Sequence, residues 1–192
     1  MNITSATIKN GRYTGSFTEQ HRGDLHVAGD LGAVYFDSLW CSGSLIVDPG
    51  TRITTGDSIV VGGDLRSAGE LHSGDAIVVG GDLNAASICC GGPLEVRGSI
   101  LLSGSLRCSG PAHSEQSIEV DHFINTGRSL IAAGNITAGE FLAAGAEVHA
   151  GGSIHVHSPI TVGTKISADG RIDATGPVTS CRLGEVVRVG SN

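Results

Sequence analysis

The sequence predicts an all-β protein: a single-stranded, three-faced parallel β-helix, or β-solenoid, with about 18 residues per coil. Three observations predict it. The segment GDSIVVGGDL at 56–65 returns as GDAIVVGGDL at 74–83, an offset of 18 residues with one substitution in ten positions. Inside that repeat lies a shorter step, because aliphatic side chains recur at every sixth position over most of the chain. The composition agrees, with 30 Gly against seven aromatics in 192 residues, which points to many tight corners.

The N-terminal 40 residues are the least regular. Leu25 and Leu31 show the six-residue step, but the register before them is broken. Tyr13, Phe17, Tyr35, Phe36 and Trp40 place five of the seven aromatics here. Residues 1–40 are therefore expected to form an irregular cap with the first coil, or a contact surface. Residues 41–192 are expected to continue the same domain as regular β-helix.

From Ile53 the step is strict: Ile53, Ile59, Leu65, Leu71, Ile77 and Leu83, then a loss of one residue before Ile88. From Ile88 to Val178, fifteen of sixteen positions on the step are Ile, Leu or Val, and Ala112 is the exception. A helix would need spacings of three and four. Six fits a short strand plus a corner. The aliphatic residue and the small or β-branched residue two positions on (Val61, Val79, Ala132, Val156) share one face of a strand. The remaining Gly, Ser, Asp and Asn turn the chain.

Three such units close a coil, so residues 18 apart lie above one another. One ladder reads Ile100, Ile118, Ile136, Ile154, Ile172. A second runs from Ile88 through Leu106 and Ile124 to Val178, and a third from Leu94 through Ala112 and Leu130 to Ile166. Each full burial contributes roughly 1.5–3 kcal/mol, and no coil is stable alone. At the far end Leu183, Val186, Val187 and Val189 suggest a last strand with no capping helix after it. Solenoid ends present strand edges that must be covered or used.

Gly63-Asp64-Leu65-Arg66-Ser67-Ala68-Gly69-Glu70-Leu71 and the sister segment from Gly81 resemble the bactofilins, bacterial cytoskeletal proteins with a triangular β-helix that polymerise end to end. The resemblance runs from about Leu25 to Val178 and includes the Gly-Asp-Leu units at 23–25 and 29–31. It implies a structural scaffold that self-assembles through the solenoid ends. The aromatic N-terminal residues and Leu183, Val186, Val187 and Val189 would then be the contact residues. The charged or Pro-rich tails and the short apolar N-terminal segment of some bactofilins are not visible here.

Other functions are weighed against the same residues. A net charge of −7 with no Lys/Arg run weighs against nucleic acid and anionic membranes as partners. No apolar signal region and no apolar run long enough to span a bilayer are seen, and five Cys lack paired CxxC spacing, so a reducing cytoplasm is expected. Hexapeptide acyltransferases share the six-residue step. Here, however, the residue after the aliphatic position varies (Cys89, Glu95, Leu101, Arg107, His113, Glu119), and no long loop interrupts 88–178. Long-coil polysaccharide lyases, Thr-x-Thr ice-binding arrays and nine-residue calcium rolls fit less well still.

No enzyme activity and no cofactor are expected. The partners expected are a second copy of the chain or another protein docked on a solenoid face. His155 and His157 project together from one strand and are the candidate metal ligands, with His155 also facing Asp173 as a possible ion pair. Cys90 and Cys108 are expected to stack in the core as neighbouring thiols. The Gly-Asp corners are expected to turn their carboxylates onto backbone N–H groups.

Overall fold

A computed structural model of the chain describes residues 2–4, 8–13 and 21–183. Among these there is no helix, and nearly every strand lies parallel to a strand one coil away. The strands are short because each face of the triangle holds one in–out–in triplet before the chain turns. Ile118–Val120, Ile136–Ala138 and Ile154–Val156 all bury their first and third residues and leave the middle one toward solvent. That is the period-two alternation of a strand cut to three residues.

The expected ladder holds rung by rung: Ile100 pairs with Ile118, Ile118 with Ile136, Ile136 with Ile154 and Ile154 with Ile172. The second and third ladders hold as well. About nine coils result, a rod on the order of 40 Å at the usual strand spacing. All the inward aliphatics, from Ile3 to Ile172, join one continuous core. Three longer strands, Leu65–Ser73, Leu83–Cys90 and Ile160–Ala168, carry on round a corner and serve two faces each.

Where Ser or Thr takes the third, inward position, its hydroxyl finds a corner carbonyl. Ser114 donates to the Gly98 carbonyl at 2.8 Å and Thr126 to that of Arg128 at 3.1 Å. No buried side-chain polar atom among the described residues lacks a partner, as a dry core requires.

The coil length is not uniform. Early coils are longer: Leu25 pairs with Leu45 and Leu45 with Leu65, offsets of 20, and Val34 pairs with Ile53, an offset of 19. The six-residue step expected from Leu25 to Leu31 is not kept. The next core positions after Leu25 and Val27 are Val34 and Phe36, and Leu31 sits half-buried ahead of the strand Gly32–Phe36. Extra residues in the 28–32 corner lengthen the coil from Leu25 to Leu45, and extra residues between Val47 and Ile53 lengthen the one from Leu45 to Leu65. In the middle, the residue lost before Ile88 makes the offset 17, as in Glu70 with Ser87 and Leu83 with Ile100. No break falls at residue 40, since Leu25, Val34, Phe36, Leu39 and Cys41 belong to the same core as everything after them.

The N-terminal side carries the one antiparallel element among the described residues. Ile8–Lys9 and Arg12–Tyr13 form a hairpin across Asn10-Gly11, both with positive φ (51° and 73°). Asn-Gly with two positive φ values is the two-residue turn whose twist suits a hairpin. The faces are numbered by their inward columns, the first through Leu39, Ile59 and Ile77, the second through Leu25, Leu45 and Leu65, and the third through Val34, Ile53 and Leu71. The Gly11 carbonyl accepts the Tyr35 N–H at 2.7 Å, which ties the hairpin to the third face.

Most corner glycines are needed for a different reason. In the coils beyond residue 50 no described Gly has a positive φ. A Cβ at Gly80 would instead collide with the Gly62 carbonyl, and one at Gly145 with that of Gly127. The corners stack so closely on the preceding coil that only hydrogen fits.

Candidate functional site

The inward residues are committed to the core, so chemistry and recognition fall to the middle residue of each triplet, the corners and the ends. The corners before the second face are built for structure. Asp24 accepts the Ser44 N–H at 2.8 Å, Asp64 that of Asp82 at 3.1 Å, Asp82 that of Ser99 at 2.9 Å, and Asn135 that of Ser153 at 2.8 Å. Ser44, Ser117 and Ser153 do the same through their hydroxyls. A polar column therefore climbs one edge of the rod, most of its side chains capping an amide of the next coil; of the six Gly-Asp corners, Asp24, Asp64 and Asp82 behave as expected, whereas Asp75 accepts the Ser58 hydroxyl.

On the first face the outward column reads Trp40, Val60, Val78, Glu95, His113, Ile131, His149. A shallow groove of about 430 Å³ follows it, floored by Val60 and Val78 and walled by Glu95, Arg97, His113 and Glu115. Trp40 is 40% exposed beside its apolar end. The other aromatic contact candidates behave differently. Phe36 is buried in the core, so it supports the first coil and offers no surface. Tyr35 is half-buried, with the Arg12 guanidinium 4.5 Å above its ring and 3.1 Å from Asp37. Tyr13 and Leu183 end described strands. Phe17, Val186, Val187 and Val189 lie outside the described residues.

The third face holds a grouping that the 18-residue offset conceals. Because the offset there is 17, Cys89 stands between His72 on one coil and Arg107 on the next. These three line an open groove of about 370 Å³ together with Glu70, Ser105 and Phe123. Arg107 also lies over the Phe123 ring at 4.8 Å, and Phe123 stacks on Phe141 with ring centroids 4.8 Å apart. The signal that finds the column is the lost residue before Ile88, applied to the outward positions as well as to the core.

Cys90 and Cys108 stack in the core as expected, with sulfurs 2.8 Å apart. The hydrogen bond to Cys90, then burial, pushes the Cys108 thiol far above its ordinary value. Burial, reinforced by the charge of Asp24, pushes Cys41 up to about 11. Both stay protonated near neutral pH and are poor nucleophiles.

On the second face, His155 and His157 are both exposed, with their Nε2 atoms 3.1 Å apart. The expected ion pair of His155 with Asp173 is not formed. The two residues are in register, but the Asp173 carboxylate takes the Arg171 guanidinium at 2.8 Å. Arg171 has the longer reach and a permanent charge. His149 bonds Ser167 at 3.0 Å on the first face, away from the pair.

No protein-family model, curated protein or solved structure matches the chain. Among the described residues no helix is long and apolar enough to cross a membrane.

Proposed function

We propose that the chain is a non-catalytic scaffold, bactofilin-like in its assembly, that joins copies of itself through the solenoid ends. The observation that carries this reading is the last described rung. Ile172–Ala174 and Val178–Leu183 pair on one side only among the described residues. Their inward residues Ala174 and Val178 are half-exposed, whereas Val156 and Ile160 one coil earlier are sealed. A rung whose apolar side chains Ala174 and Val178 are only partly covered by described residues resembles the surface that every internal coil offers its neighbour, and a second copy would fit it by the rule that holds the rod together.

Light scattering and negative-stain microscopy of the purified chain test this. Filaments or end-joined rods of regular spacing are expected, and Val178→Asp, with its melting checked by circular dichroism, is expected to shorten them. A monomer at all concentrations overturns the reading.

The apolar-floored groove on the first face, beside exposed Trp40, favours a second reading: a module that docks a partner protein on a solenoid face. Apolar patches rimmed by charge on a flat sheet are typical of protein contacts. A monomer that retains a partner through Trp40, and loses it in Trp40→Ala, would select this reading over the first.

A further inference from the structure

The two exposed imidazoles of the second face form a geometry that neither reading above uses. His155 is the middle, outward residue of the strand Ile154–Val156, and His157 is the next outward position, so alternation puts both rings on one side. Their backbones are held by the rod, since His157 donates its amide to the Ala138 carbonyl at 3.2 Å and Ile154 donates to that of Arg171 at 2.8 Å. The rings meet edge to face, at 88° with centroids 4.7 Å apart, and bring Nε2 to within 3.1 Å of Nε2. The two Nε2 atoms are within hydrogen-bonding distance, with the donor set by the tautomer.

The separation can be tested against metal geometry. Imidazole nitrogen binds zinc-sized ions at about 2.0–2.1 Å. Two nitrogens 3.1 Å apart then subtend roughly 98° at a shared ion, between the right angle of a square-planar or octahedral site and the tetrahedral angle. A cation would replace the shared proton once the two exposed rings turn their lone pairs toward a common point beside the N–N line. Among the described residues no third ligating side chain converges on the pair, and the neighbouring Asp173 is held by Arg171. The remaining positions face solvent. Two neutral nitrogens without oxygen ligands suit borderline divalent ions and not calcium or magnesium.

We propose that His155 and His157 form a two-imidazole site for one divalent transition-metal ion per chain, copper(II) binding tightest and nickel(II) and zinc(II) more weakly, with water completing the coordination. Calorimetric titration of the tag-free chain with nickel(II) chloride in a non-coordinating buffer tests it. One saturable ion per chain is expected. Saturable binding should be lost in His155→Ala and in His157→Ala and kept in His149→Ala. Both pair variants should melt like the parent, because the rings are exposed. With one equivalent of copper(II), electron paramagnetic resonance should show two imidazole nitrogens in the parent and fewer in either variant. The absence of a saturable isotherm in the parent, binding unchanged in both pair variants, or equal loss in His149→Ala overturns the site. Neither readout depends on whether the rods join end to end.

Discussion

The first fifty residues and the coils from Ile88 to Val178 build the same core by different means. In the later coils the offset stays at 18, the corners use ordinary backbone angles, and glycines are placed where a Cβ would strike the coil beneath. In the early coils the offsets run from 19 to 24, and Gly23, Gly29, Gly32 and Gly50 all adopt positive φ. Three of them, Gly23, Gly29 and Gly32, have open space where a Cβ would stand. Glycine is thus required for conformation at Gly23, Gly29 and Gly32, and for proximity at Gly43 and along the later coils. The inward ladder is indifferent to the change, since Leu25, Leu45 and Leu65 stack as well across long corners as Ile118 and Ile136 do across short ones.

The most severe test of the regular region is Ile136→Asp, which places an unpaired carboxylate among sealed aliphatics. A loss of about 4 kcal/mol or more is expected, read as a collapse of the denaturation midpoint. A parent-like melt would mean that the ladder does not bear on stability.

The glycine contrast is sharpened by a pair of identical substitutions. Gly145→Asn meets the backbone of Gly127, which cannot rotate away, and should cost about 2–3 kcal/mol as overpacking. Gly32→Asn meets open space at φ +64°, a region Asn tolerates, and should stay within about 1 kcal/mol of the parent. Equal losses in urea unfolding would erase the distinction between the two regions.

The polar column predicts a smaller effect. Asn135→Ala leaves the Ser153 amide without its acceptor and should cost about 1 kcal/mol, with faster hydrogen exchange at that amide. At the hairpin, Arg12→Ala removes the exposed contacts to Asp37 and Tyr35, and a shift of about 0.5–1 kcal/mol is expected.

The last test is a pH dependence confined to the early coils. Hydrogen bonding from His26, at 2.8 Å, and then from the Gly29 amide holds the Asp48 carboxyl below the ordinary carboxylate range. A carboxyl depressed in the folded state supports folding above its unfolded pKa and loses that support as pH falls through the folded value. Asp48→Asn should therefore lower stability at neutral pH and flatten the acid limb, so that variant and parent converge at pH values below the folded Asp48 pKa.

Much of this was legible from one chain. The six-residue step fixed which side chains turn inward, because alternation along a strand is local and needs no knowledge of neighbours. It also foretold the stacked pair Cys90 and Cys108 and the corner amides on Asp24, Asp64 and Asp82, though not the Ser58 hydroxyl on Asp75. It missed Val34 as the successor of Val27 in the core, since the 28–32 corner takes extra residues without any break in composition. It missed the column His72, Cys89, Arg107 for the related reason that one lost residue turns 18 into 17.

What the sequence by itself determined is the inside of the rod: the fold class, the ladders and the demand for small residues at the corners. What only the tertiary structure decided is the vertical neighbour of each outward residue and the partner it chooses, such as Asp173 taking Arg171 in place of His155. In or out depends on two adjacent bonds along a strand. Who stands above whom depends on the summed length of every corner in a coil, and on which of several side chains within reach holds the stronger charge.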